Sequence, residues 1–73
     1  MNDKDYVKSL KSLGDNLKKM RALKNMTQSE VAKLADIHVN YYARIERAEE
    51  NPSFAVLYAI AKAFKVKLSQ IAP

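Results

Sequence analysis

The sequence contains no cysteine and no tryptophan, and only one glycine, one histidine and two prolines. Without cysteine there is no disulfide, no thiolate nucleophile and no zinc–thiolate site, and the redox compartment is left open. His38 stands alone, with no second ligand at metal-binding spacing, so neither a metal nor a cofactor is expected. A single glycine, Gly14, cannot furnish a Gly-rich phosphate loop. Paired carboxylates reduce to Glu49-Glu50, which read as a solvated loop. Seventy-three residues also leave little room for a catalytic cleft. An enzyme is therefore not expected, nor a small-molecule ligand. No apolar run approaches the roughly twenty residues of a bilayer span, so no membrane partner is expected. The start of the chain is charged and lacks the apolar stretch of a signal peptide, which makes cytoplasmic residence the expectation.

What is present points to a folded, basic domain. Hydrophobic residues make up 48% of the chain, too many for disorder, and the length suits one domain over residues 1–73. The net charge is +5, concentrated before residue 26: Lys4, Lys8, Lys11, Lys18, Lys19, Arg21 and Lys24 face only Asp3, Asp5 and Asp15. Such a chain favours polyanions through counterion release. The lysines before Gly14 are equally compatible with a solvated outer helix face.

Helical periodicity covers most of the chain. Tyr6, Leu10, Leu13, Leu17 and Met20 recur at spacings of three and four, which predicts a first helix from about Asp3 to Lys24. Gly14 weakens its middle by about 1 kcal/mol relative to alanine and could mark a bend. Thr27 and Glu30 form a capping box opening a second helix, Gln28 to Ala35, with Val31, Leu34 and Ala35 on one face. A third, His38 to Ala48, turns Tyr42 and Ile45 inward and Asn40, Tyr41 and Arg44 outward. The sharp link between them needs a residue with positive φ. Asp36 is the candidate, a short polar side chain being the next most tolerated choice after glycine. Ala32 is small enough for the helices to cross closely. Pro52 disfavours helix at Asn51, so 49–52 is a loop. Ser53 caps a fourth helix, to about Phe64, whose core face is Phe54, Leu57, Ile60, Ala61 and Phe64. A fifth runs from Leu68 to Ala72. No strand pattern or internal repeat occurs.

From Leu13 to Ile71 the chain resembles the lambda-repressor-like helix-turn-helix family, also called the Cro/CI or XRE group. The likeness is carried by Leu17, Met20-Arg21, Met26-Thr27-Gln28-Ser29-Glu30-Val31-Ala32, Ile45-Glu46-Arg47, Asn51-Pro52-Ser53 and Leu57 through Val66. The resemblance implies an all-α fold, a compact five-helix bundle with the helix-turn-helix at about 27–48. It also implies sequence-specific binding to double-stranded DNA, generally as a dimer. Where the family often has glycine this chain has Asn25, Asp36, Ala48 and Lys65, so its turns rest on less permissive residues. Where the family caps the recognition helix with Ser or Thr, this chain has His38, a poorer cap.

The resemblance and the residue chemistry together nominate site residues. Arg44 can present a guanidinium fork to guanine O6 and N7, or be a solvated surface arginine. Asn40 either pairs with adenine, holds a phosphate or bonds locally at the helix start. Val39 could pack on a thymine methyl, and His38 could touch a base edge or a phosphate. For Gln28 and Tyr41 the resemblance implies phosphate contacts, Gln28 also bracing the recognition helix; Arg47 and Lys24 are further phosphate candidates. Arg21 and Glu46 correspond to an ion pair tying helix 1 to helix 3. Ala55, Val56, Tyr58 and Ala59 extend the apolar surface of helix 4 beyond one stripe, which suggests a homodimer interface across helices 4 and 5, about 53–72. The leading expectation is a transcriptional regulator on a palindromic operator, similar in architecture to restriction–modification controller proteins. The alternative is a protein-interaction module, such as an antitoxin, that binds a partner protein through helix 4.

Overall fold

The computed structural model describes residues 3–73: four α-helices closed by a single 3-10 turn, with no strand among the described residues. Helix α1 (Asp3–Leu23) begins with Asp3 and Asp5 and ends with Arg21, matching charge to the helix dipole at both ends. Only its second half enters the core, through Leu13, Gly14 and Leu17. Tyr6, expected to start the buried stripe, is instead exposed.

Helix α2 (Gln28–Ala35) opens on the capping box: Glu30 N–H donates to Thr27 Oγ1 at 3.1 Å, and Thr27 N–H to Glu30 Oε1 at 2.8 Å. Its buried face is Val31, Ala32 and Ala35. Leu34 is 63% exposed. The sequence pattern paired it with Val31, but Ala32 takes that place, and Leu34 lies roughly 100° around the helix from the face so defined.

Helix α3 (Val39–Glu46) is shorter than the predicted 38–48 because His38 is its N-cap and Ala48 is left-handed, with φ of 62°. Helix α4 (Phe54–Phe64) starts at Ser53, whose Oγ accepts from Val56 N–H at 3.2 Å. It buries Ile60, Ala61, Ala63 and Phe64. Phe54, expected in the core, is 71% exposed. The core direction is set by Ile60 and Phe64, and Phe54 points roughly 100° away from it.

The expected fifth α-helix is a 3-10 turn at Leu68–Gln70. With three residues per turn, Leu68 and Ile71 align on one edge, and Ile71 becomes fully buried while Leu68 packs beside it. Asn16 of α1 secures the segment, its Nδ2 donating to the carbonyls of Ile71 and Ala72, both at 3.1 Å.

The core joins Leu17 of α1, Val31 of α2, Tyr42 and Ile45 of α3, Ile60 and Phe64 of α4, and Ile71. α1 packs on α3, and α2 on both α3 and α4. Gly14 is where α1 meets α3: a Cβ there would overlap the Glu46 carbonyl oxygen. Close approach, rather than a bend, is its role. No helix among the described residues is long and apolar enough to cross a membrane.

Candidate nucleic-acid interface

The turn between α2 and α3 fixes how α3 is presented. Asp36 adopts φ 57°, ψ 45°, and the amides of Asp36 and Ile37 return to the carbonyls of Lys33 and Ala32. Ile37 packs on the core immediately after the turn. His38 then starts α3, its Nδ1 accepting from Asn40 N–H at 3.1 Å. The imidazole thus makes the cap bond that Ser or Thr makes in the resembled family. That bond requires Nδ1 to be unprotonated.

α3 is held from behind by a polar cluster at its C-terminal end. Glu46 is almost wholly buried and accepts from Arg21 Nε at 2.8 Å and Nη2 at 3.0 Å, and from Gln28 Nε2 at 2.9 Å. Arg21 Nη1 also donates to the Met26 carbonyl at 3.3 Å. One carboxylate therefore ties α1 and the start of α2 to the end of α3. Burial pushes the Glu46 carboxyl up, yet the bonds from Arg21 and Gln28 and the adjacent Tyr42 hydroxyl leave it below the ordinary carboxylate range. Burial pushes the Tyr42 hydroxyl well up, and it finds no partner at hydrogen-bonding geometry.

Facing away from the core, Asn40 is exposed and Arg44 half-exposed. Val39 and Tyr41 are half-buried against the core, so each offers solvent only part of its surface. Gln28 is half-buried, with its amide already engaged by Glu46. Lys24 is exposed at the end of α1, its amide bonded to the Met20 carbonyl. Among the described residues, no group of three or more His, Cys, Asp or Glu side chains could hold a metal ion.

Two pairings were missed by reading Glu49-Glu50 as a solvated loop. Arg44 Nε donates to Glu50 Oε1 at 3.2 Å, and Arg47 donates through Nε at 3.0 Å and Nη2 at 3.2 Å to the two oxygens of Glu49. Glu49 holds the Arg47 guanidinium above its ordinary range, and Arg47 lowers the Glu49 carboxyl. The signal was there: a left-handed residue at 48 turns the chain back along α3 and brings the next carboxylates to Arg44 in its last turn and to Arg47 at its C-cap.

Among the apolar positions singled out on α4, Ala55 and Tyr58 are exposed, whereas Val56 and Ala59 are half-buried against the core. Lys62 Nζ lies 5.9 Å from the centre of the Tyr58 ring.

Residues 17–71 match the helix-turn-helix family. The chain is 35% identical over 60 residues to the immunity repressor protein of Bacillus phage phi105, an alignment covering 82% of this chain but 42% of that protein. It is 27% identical over 59 residues to control protein C.SmaI of Serratia marcescens, covering 81% of this chain and 70% of the other. Among solved structures, the restriction-modification controller protein C.AhdI from Aeromonas hydrophila superposes with a TM-score of 0.83, over 85% of this chain and 94% of that one, at 24% identity. That last likeness is one of fold.

Proposed function

The chain belongs to the helix-turn-helix family, whose relatives are transcription regulators, and from that membership we infer that it binds double-stranded DNA sequence-specifically, as a homodimer on a palindromic operator. The observation that carries the inference is α3 itself. Its inner face is fixed by Tyr42, Ile45 and the Glu46 cluster, while Asn40 and Arg44 stand on the solvent side. A helix held in this way can lie in a major groove without losing its register.

Within this reading Arg44 contacts guanine and Asn40 contacts adenine or a phosphate. Val39 contributes its exposed edge to a thymine methyl, and His38, whose Nδ1 is committed to the cap, offers Nε2 to a base edge or phosphate. Lys24, Gln28, Tyr41 and Arg47 contact the phosphate backbone and set register rather than sequence. Gln28 suits this role because the Glu46 bond fixes its amide at the start of α2. The dimer face is the exposed side of α4, built on Ala55 and Tyr58 with Phe54 alongside; Val56 and Ala59 supply its edge.

Selection of sites from random duplex DNA, followed by salt titration, tests the function. A convergent inverted repeat with half-sites about one helical turn apart is expected. Recovery of no consensus, together with equal affinity for all duplexes, overturns it.

A further inference from the structure

Three arginines are held by carboxylates around α3, each to a different degree. Arg21 is fully engaged, with Nε and Nη2 on Glu46 and Nη1 on the Met26 carbonyl. Arg47 is gripped along one edge by both oxygens of Glu49. Arg44 donates through Nε alone, to Glu50 Oε1, and neither of its terminal amino groups makes a hydrogen bond within the described residues. The outer edge of this guanidinium is open. That edge, with two parallel N–H groups, can match guanine O6 and N7, and with Nε committed to Glu50 it is the edge left for doing so.

Backbone geometry delivers Glu50 to this place. Ala48 is left-handed, and Glu49 N–H returns to the Arg44 carbonyl at 2.8 Å, so the chain doubles back over the last turn of α3. Two residues beyond Glu50, Pro52 is buried. The carboxylate therefore sits on a short segment fixed at both ends.

We propose that Glu50 is a positioning residue for DNA reading, holding the Arg44 guanidinium by Nε so that its terminal amino groups meet a guanine edge already aligned. This rests on Arg44 reading a base, as inferred above. A free arginine side chain must give up rotamer freedom on binding; one restrained beforehand gives up less, and only for the geometry in which it is restrained. The same carboxylate adds negative charge near the phosphates and so weakens attachment to any duplex. Glu50 thus raises discrimination while lowering overall affinity. A surface charge with no positioning role does only the second.

The experiment titrates the full chain and the variants Glu50→Ala, Glu50→Gln, Arg44→Ala and Arg44→Ala/Glu50→Ala. Each is measured against a duplex selected by the unaltered protein, single base-pair substitutions of it, and a random duplex. Glu50→Ala is expected to bind the random duplex about two- to threefold more tightly. Its preference for the selected base pair is expected to fall about fivefold, at the position where Arg44→Ala also loses preference. Glu50→Gln, whose Oε1 still accepts from Nε, keeps most of the preference, and once Arg44 is alanine Glu50→Ala still tightens every duplex but lowers the preference no further. If Glu50→Ala tightens every duplex equally and leaves preference intact, positioning is overturned while Arg44 keeps its role. If Arg44→Ala leaves preference unchanged everywhere, the base-reading role fails first and the Glu50 role with it. A readout without DNA accompanies these: the Nε–H resonance of Arg44 should exchange faster with water in Glu50→Ala but not in Glu49→Ala. An unaltered exchange rate in Glu50→Ala overturns the restraint itself.

Discussion

Glu46 and Gly14 meet at the crossing of α1 and α3, Gly14 against the Glu46 backbone carbonyl while the Glu46 carboxylate is held by Arg21 and Gln28. The Glu46 side chain is 1% exposed against 26% for Arg21, so removing the acid strands a cation that water reaches only in part. Glu46→Ala should cost about 2–3 kcal/mol, toward the low side for a broken buried pair because Arg21 retains some solvent. Denaturant titration measures it, and an unchanged midpoint contradicts it. The pH dependence follows from the same carboxylate. Its folded-state value lies below the ordinary one, so the unfolded chain binds the proton first as pH falls. The stabilisation is complete above the ordinary carboxylate range and is lost as pH drops through the lower, folded value. Glu46→Gln should therefore flatten the acid limb of a stability–pH curve. The limb should not vanish, because Glu30 and Glu49 are also lowered, by the Thr27 backbone amide and by Arg47. Gly14→Ala should destabilise by about 1–3 kcal/mol although alanine favours helix by about 1 kcal/mol, because the methyl group would meet the Glu46 carbonyl. A rise in melting temperature on that substitution would show that α1 and α3 can separate freely. From sequence, Gly14 was legible only as a weak helix position, since close approach depends on a residue thirty-two places away.

The four helices end by one device. In each, a non-glycine residue takes positive φ (Asn25, Asp36, Ala48, Lys65), and the next amide returns five residues back: Met26 to Arg21, Ile37 to Ala32, Glu49 to Arg44, Val66 to Ala61. This is the Schellman closure. All four positions were legible in the sequence, through the family resemblance, as places where glycine would be expected. The residues that follow were not, and they distinguish the four ends. Met26, Ile37 and Val66 pack on the core, as the motif favours; Glu49 does not, and the loop after α3 is the one that carries carboxylates outward to arginines. Left-handed geometry penalises a side chain by about 1–2 kcal/mol, less for Asn and Asp, while glycine returns part of that through a more flexible unfolded chain. Lys65→Gly should thus stabilise by up to about 1 kcal/mol, or roughly 4–8 °C in a chain of this size. Asp36→Gly should gain less. Thermal melts of the two variants test the ranking, and a larger gain at Asp36 would reverse it.

At the scale of the molecule, the sequence located every helix of the core and the inward residues of α3, because periodicity is a local property, but it turned Tyr41 outward where the structure half-buries it against the core. It misassigned Leu34 and Phe54 because a stripe's direction is set by neighbouring helices that no single segment encodes. The consequence is an exposed face on α4, where Phe54 is 71% and Tyr58 53% exposed, with Ala55 between them and Lys62 one turn on. This is the face assigned above to the homodimer, and Tyr58→Glu probes it without harming the monomer. The new carboxylate stands four residues before Lys62, the favourable order for a helical ion pair, so the fold should melt within about 0.5 kcal/mol of the unaltered protein. Across a two-fold axis, the same substitution sets like charges against each other in place of aromatic surface. Two linked half-sites bind far more tightly than one, by about a hundredfold or more. Tyr58→Glu should therefore lose about that factor on a full operator while binding an isolated half-site as before, and sedimentation should show a monomer. Undiminished operator affinity, with the dimer intact, would move the interface to another surface of the bundle.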